Sequence, residues 1–473
     1  MPIATALHAT LVDLLGPDAV DDSAAALAAT SHDTWPLTTK WRRLDQHPYP
    51  AELLVRLASF DPLPDVLAAA TRFGVPVTVR AKGSSVTGQP LPTRGGIVLD
   101  VSGVPATYTV NEENLTVTAS ASMIGGALED ALAERGLTLG HSPQSLYRST
   151  VGGWVATLAT GQFSSMYGGI EDLVTGYTVV LATGEVIELK ASPRAAMGPD
   201  LRQLFIGSEG TLGVVTSVTL KVFPDTLPTV LGAYTLPDVS DGLSLMREQA
   251  ALGLRPWLLR FYDAAEAGHA LPGATQPVLF LGTRGPQRIA DAEYAVLHDL
   301  ALDRGGVSLG PEPVAAWLER RFDFSTVENL LALDGGFAET IEVAHNWSGI
   351  GELYRDLRSA LEPLADEVLS HFSHVYTQGT SMYVILLGRV TDDRAAVERL
   401  QTIWTTAMAV CLQHGAELSH HHGGGLARSP YARESLGSAH LVLQRLKAAL
   451  DPAGILNPGK LGLERSIHHT NGS

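Results

Sequence analysis

The chain of 473 residues carries 33 Lys and Arg against 50 Asp and Glu, a formal net charge of −17, with 45% hydrophobic and 18% charged residues. That length and apolar content suffice for two or three cored domains and exclude disorder as the general state. The acidic balance argues against nucleic acid or an anionic membrane as principal partner, yet leaves room for small anions held by a few cations and backbone N–H groups.

Residues 1–49 alternate Ala/Leu-rich helical pieces with polar turns and include the basic cluster Lys40, Arg42 and Arg43. They predict an N-terminal helical extension on the outside of the molecule. The first residues lack the basic, apolar and small-residue regions of a signal peptide. No uncharged apolar run reaches the roughly 18 residues of a membrane-spanning helix. A soluble cytoplasmic protein is expected.

From residue 50 the pattern changes. Val66, Leu67, Ala70 and Phe73 share one helical face, and Gly74 ends that helix. A β-rich run over 75–79 leads into a small, hydroxylated loop: Lys82, Gly83, Ser84, Ser85, Val86, Thr87 and Gly88. Its backbone N–H groups could converge on a phosphate. Strands are expected at 97–101 and 115–121, then a helix over 124–134 with Ile124, Leu128 and Leu132 repeating every fourth position. A second unit begins near His141. It predicts a hairpin of 176–182 and 185–189, then a strand over 214–222 whose Val214, Thr216, Val218, Leu220 and Val222 share a face.

Residues 224–228, bracketed by Pro224 and Pro228, mark a boundary. Beyond it helices are expected at 350–361 and 394–412 and a buried strand at 382–387. Cys411, the single cysteine, rules out an intramolecular disulfide or a multi-cysteine metal site and reads as a buried, inert thiol. A helix over 435–450 carries Leu436, Leu443, Leu446 and Leu450 and stops at Asp451, Pro452, Ala453 and Gly454. The tail from Glu464 is expected to be mobile.

Two more glycine-rich stretches follow the first loop. One contains Ser149, Thr150, Gly152, Gly153, Ala156 and Gly161, small residues that let a flat ligand approach the main chain. The other runs through Glu209, Gly213 and Val215. The first loop is neither a Walker loop nor a GxGxxG turn, which disfavours a nicotinamide site. His420, His421 and His422 precede three glycines; in an extended segment His420 and His422 would lie opposite His421. Arg260 is a lone charge in an apolar run, so its burial demands an anion, either a protein carboxylate or a ligand.

In this order and spacing, residues 149–160, 167–174, 197–200, 419–425 and 450–461 resemble the FAD-binding PCMH/vanillyl-alcohol oxidase superfamily, most of all its alkyldihydroxyacetonephosphate synthase branch. The resemblance implies an α+β fold: a PCMH-type FAD-binding domain of two α+β subdomains over 50–225 and an α+β cap domain over 226–440. A C-terminal segment, 441–473, would return to the FAD domain. It further implies that Lys82 to Gly88 hold the FAD pyrophosphate and that Pro143, Ser149, Thr150, Gly152, Gly153, Ala156 and Gly161 line the flavin. Glu209, Gly213 and Val215 would flank the dinucleotide. The first loop offers no His or Cys for a covalent link, so FAD is expected to be non-covalent.

The implied catalytic residues are His421, His422, Tyr376 and Arg260, in an FAD-dependent oxidoreductase that passes a hydride from a small hydroxylated or anionic substrate to flavin N5. A His or Tyr would take the proton. The alternative is a redox-neutral, synthase-like transferase working through a flavin N5 adduct. Synthase-like proteins carry an arginine five residues before that tyrosine, where this chain has His371. The hydroxy-acid dehydrogenase branch has metal-binding histidines in the same stretch; His374 matches the first and His421 a later carboxylate position, the second is missing, and no metal is expected. A small-molecule substrate is the expected partner, and a homodimer the expected assembly.

Overall fold

In the computed structural model, which describes residues 5–463, helices and strands intermix around three main sheets, an α+β architecture. In the first sheet Leu53–Arg56, Ile97–Asp100 and Val77–Arg80 are parallel neighbours. Parallel strands need a crossover, and helix Leu63–Phe73 lies between the first and third of them in sequence, with Val66, Leu67 and Ala70 fully buried. Gly74 ends it at φ 64°, a left-handed conformation that a side chain would resist. The outer edge is closed from the far end of the chain. Val77 N donates to the Ile455 carbonyl and Asn457 N to the Val77 carbonyl, both at 2.8 Å.

The second sheet is antiparallel, in the order Tyr108–Asn111, Thr116–Ser120, Val214–Lys221, Val174–Val180 and Val186–Leu189. Val214, Val218 and Leu220 are buried as their alternation predicts, while a bulge between Val215 and Ser217 leaves Thr216 half-buried. Helices Gly125–Ala133 and Val151–Thr157 contribute Leu128, Leu132, Val151 and Trp154 to its core.

The third sheet has seven antiparallel strands, with Leu258–Tyr262, Glu367–Val375, Gly379–Arg389 and Gly336–Asn346 adjacent in that order. Alternation splits their side chains between two faces. Phe261, Phe372, Met382, Val384, Ile341 and Val343 pack against helices that include Trp347–Leu361 and Asp393–His414. On the other face Tyr262, His371, Tyr383 and Glu342 are direct cross-strand partners in one row. Cys411 is fully buried in this core, and burial pushes its thiol up to about 12. No helix among the described residues is long and apolar enough to cross a membrane.

Two expectations are corrected. The helix placed at 435–450 begins only at His440, because Gly437 at φ 53° breaks it from Ala432–Leu436 and leaves Leu436 exposed. The N-terminal residues are not an outer layer either. Trp35, Leu37 and Trp41 sit in the core of the seven-stranded sheet. Lys40 is fully buried, and its Nζ meets Asp393 Oδ1 at 2.6 Å while Arg43 Nε meets Oδ2 at 2.6 Å. The basic cluster is thus largely an internal clasp. The tail expected to be mobile lies outside the described residues.

The same contact buries Glu339, whose Oε2 accepts the indole N–H of Trp35 at 3.1 Å and of Trp404 at 2.8 Å. Burial pushes its carboxyl up from 4.5 to about 7. A raised folded-state value means that stability is fully present below pH 4.5 and falls as pH rises through 7, by roughly 3 kcal/mol in all. Glu339→Gln keeps an oxygen for the indoles and removes the charge. Its thermal midpoint is expected to exceed wild type at pH 8 and to converge with it at pH 5; equal midpoints at pH 8 would refute this.

Candidate active site

The polar row on the open face of the seven-stranded sheet is the floor of the site. Its strand Glu367–Val375 slips register between Ser373 and Val375, and the extra residue, His374, takes φ 56°. A bulge re-aims a side chain that regular pleating would send elsewhere. His374 Nδ1 pairs with the Ser164 hydroxyl at 2.8 Å, and its ring stacks on His420 at 5.0 Å between centroids.

The wall is the turn that carries three histidines. Glu342, fully buried, accepts the successive backbone N–H groups of His420, His421 and His422, the Ser419 hydroxyl and the Arg428 guanidinium. Gathering three consecutive N–H groups on one carboxylate curls the backbone. The expected alternation therefore fails: His420 and His421 face each other, Nδ1 to Nδ1, at 2.7 Å. His420 Nε2 is 2.6 Å from the Tyr376 hydroxyl, and His421 Nε2 hydrogen-bonds the Tyr383 hydroxyl. Tyr376, His420, His421 and Tyr383 form one continuous hydrogen-bonded chain.

Burial shapes the charges. It pushes His420 and His422 down to about 3 and His371 to about 4, and with His421 and His420 it holds His374 well below the usual imidazole value. Burial also raises both tyrosine hydroxyls, which keeps them protonated. Burial alone would raise Glu342, but His421, His422 and Arg428 outweigh it and hold the carboxyl well below its ordinary value. Nitrogens of His374, His420 and His421 lie within 4.8 Å of one another, a spacing that the ligands of one ion could adopt.

Arg260 lies on the same face, in the neighbouring row opposite Ser373, and is largely spent on protein. It donates to the Tyr262 hydroxyl and to Gln162 Oε1, each at 2.8 Å, and lies 3.8 Å from Glu266. His371 is bonded through Nδ1 to Glu266 at 2.7 Å and stacked on Tyr383.

The glycine-rich loops lie together on the other side of the histidine turn. Thr87 O accepts from Leu426 N, and Gln89 Nε2 donates to the His422 carbonyl at 2.7 Å. Glu209, at φ 52°, accepts the N–H groups of Gly424 and Gly425. The Ser149 hydroxyl is taken by the Trp154 indole and the Thr150 hydroxyl caps the helix Val151–Thr157. At Gly152, Gly161 and Gly213 a Cβ would collide with Ala121, Ser142 and Val179 respectively, so these glycines are needed first for chain packing. Gly153 and Ala156 are half-buried on the same helix, Pro143 is buried, and Val215 is half-buried on its strand.

Sequence reasoning stopped short of several residues. Lys82 is exposed; the cation turned inward is the half-buried Arg80, whose guanidinium packs beneath Gly83 with a buried Nη1 that lacks a protein partner among the described residues. Asp33, from the N-terminal region, accepts from Gly88 N at 2.9 Å. Glu342 and Tyr383 carry no local motif at all.

These residues fit a bound dinucleotide. Buried polar atoms normally have partners, yet Arg80 Nη1, Ser142 Oγ and both ring nitrogens of His141 have none among the described residues. They mark the phosphate loop and the second glycine-rich stretch. Gly83 and Gly88 take φ 64° and 84°, conformations that expose main-chain N–H groups to a ligand.

Comparison with known proteins agrees. The family described as FAD binding domain matches residues 51–190, and that described as FAD linked oxidases, C-terminal domain, matches 228–461. The chain is 33% identical to the uncharacterized FAD-linked oxidoreductase YgcU of Escherichia coli (strain K12), over 95% of this chain and 97% of that one. It is 24% identical to alkyldihydroxyacetonephosphate synthase of Dictyostelium discoideum, over 89% and 74% respectively. The solved structure of p-cresol methylhydroxylase superposes with a TM-score of 0.82 at 15% identity, over 98% of this chain and 99% of that one. The chain belongs to the FAD-linked oxidoreductases, and FAD is its cofactor.

Proposed function

We propose that this flavoprotein oxidises a small hydroxyl-bearing, anionic substrate, with non-covalent FAD as hydride acceptor and the tyrosine–histidine chain as proton acceptor. The observation that supports this most is the continuous line of hydrogen bonds from Tyr376 through His420 and His421 to Tyr383. When bound, FAD supplies the two-electron acceptor. The protein handles the proton. As the substrate C–O bond becomes a carbonyl, the Tyr376 oxygen takes the hydroxyl proton and yields its own to His420 Nε2. His420 passes its Nδ1 proton to His421, and the added charge rests 3.3 Å from the buried Glu342 carboxylate.

The synthase-like transferase is the second reading. Against it stands His371, which burial keeps neutral above about pH 4 and which therefore offers a phosphate no fixed charge. The two are separated by anaerobic addition of hydroxy acids and alcohols to the holoenzyme. Bleaching of the oxidised flavin band near ~450 nm is expected for one class of compound; a panel without bleaching would favour the redox-neutral reading. Acid precipitation should release all of the flavin into the supernatant, and colour retained in the pellet would mean a covalent link.

Both ring nitrogens of His420 and of His421, and Nδ1 of His374, are already paired with one another, with tyrosines or with Ser164, so dialysis against a chelator is expected to leave turnover unchanged. Loss restored by zinc or manganese would put an ion, not a proton, among the three rings.

A further inference from the structure

Away from the histidine cluster lies a cavity of about 280 Å³ whose lining includes the carboxylates Glu129 and Asp225. Phe163, Tyr167, Trp257, Arg284 and Arg321 also line it. Phe163 and Trp257 stack at 4.1 Å and 16°, and a guanidinium lies over each ring: Arg321 at 4.9 Å from Phe163, Arg284 at 5.5 Å from Trp257. Arg284 already meets Asp225 at 2.6 Å, whereas Arg321 has no ion pair within 4.0 Å among the described residues.

The atoms left without partners say which kind of group is missing. Among the described residues Arg321 Nη1, Arg284 Nε and the Tyr167 hydroxyl are buried and lack any hydrogen-bond partner. Tyr167 is 8% exposed. The carboxylates on the same wall are already satisfied. Glu129 accepts from the Thr138 hydroxyl and Leu139 N, and Asp225 accepts from Arg284 Nη2 at 2.6 Å. Every orphan can donate, so the missing partner is an acceptor. Buried donors normally have one.

We propose that this cavity is a second ligand site, for a small oxyanion of the carboxylate or phosphate class whose short apolar body, where it has one, rests on the Phe163–Trp257 pair. The site is not the oxidation site, but it adjoins it through the chain. Phe163 faces the cavity, while its neighbours Gln162 and Ser164 bond Arg260 and His374. An occupant bonded to Tyr167 and to Arg321 would also tie helix Ser164–Tyr167 to the end of helix Glu312–Arg320.

The test is calorimetric titration of the FAD-loaded protein with inorganic phosphate and, separately, with benzoate. Saturable binding of at least one anion is expected, weakened tenfold or more in Arg321→Gln and in Tyr167→Phe, since each removes a charge-assisted or buried donor. Tyr167→Phe removes a single oxygen, which keeps the test available if the arginine variant fails to fold. Saturation by benzoate alone would assign a carboxylate with an apolar body, and by phosphate alone a bare oxyanion. No saturable heat from either, or affinity unchanged in both variants, would overturn the proposal. So would affinity lost in His421→Ala, which would move the anion to the histidine cluster.

Discussion

Tyr376→Phe is expected to lower turnover by roughly 10²–10⁴-fold, the usual contribution of a positioned proton acceptor, while FAD content stays at the wild-type level. The Tyr376 hydroxyl meets His420 Nε2 at 2.6 Å, and its removal leaves the ring packed beside the His420 ring at 5.5 Å between centroids. Burial raises the hydroxyl well above its ordinary value, so Tyr376 works as a neutral conduit and not as a standing phenolate. The substrate hydroxyl then has no oxygen to receive its proton. Single-turnover bleaching of the flavin is the measurement, because it isolates the oxidation from reoxidation. Tyr383→Phe, at the far end of the chain, should cost less. An unchanged bleaching rate in Tyr376→Phe would remove this line of hydrogen bonds from the reaction.

Glu342→Ala is expected to be the most destabilising substitution at the site. It strands the buried Arg428 and removes the acceptor of three consecutive backbone N–H groups. Breaking a buried ion pair from one side costs roughly 3–5 kcal/mol. Glu342→Gln keeps one oxygen for the turn but not the charge that faces His421. Denaturant unfolding should therefore rank wild type, Gln and Ala in falling stability, whereas turnover should already be low in Gln. Equal turnover in wild type and Gln would reduce Glu342 to a purely structural support.

What could be read from the letters was whatever the chain builds locally. The loop from Lys82 to Gly88 and the glycines near 152 and 161 are contiguous, and their small side chains announce a ligand before any fold is known. The shape of the histidine turn was not legible, because the carboxylate that curls it lies on a strand far away in sequence. His374 was noticed for its type, but only the register slip beside Ser373 turns it toward Ser164. Arg80 was passed over because it precedes the loop, and its guanidinium folds back under Gly83. The N-terminal helices read as an outer layer because nothing in Trp35 or Lys40 names Glu339 and Asp393 as partners.

The pairing of Val77 with Leu456 also constrains how the protein is made. A ribosome emits the strands of the first sheet early, yet the residues that complete their open edge come only after both other sheets have been synthesised. Lys447, which bonds Asp451 and the carbonyls of Thr211 and Leu456, fixes that closure. Until then the nascent sheet displays an unpaired parallel edge, the kind of template on which chains aggregate. A product truncated before residue 447 is therefore expected to accumulate without cofactor.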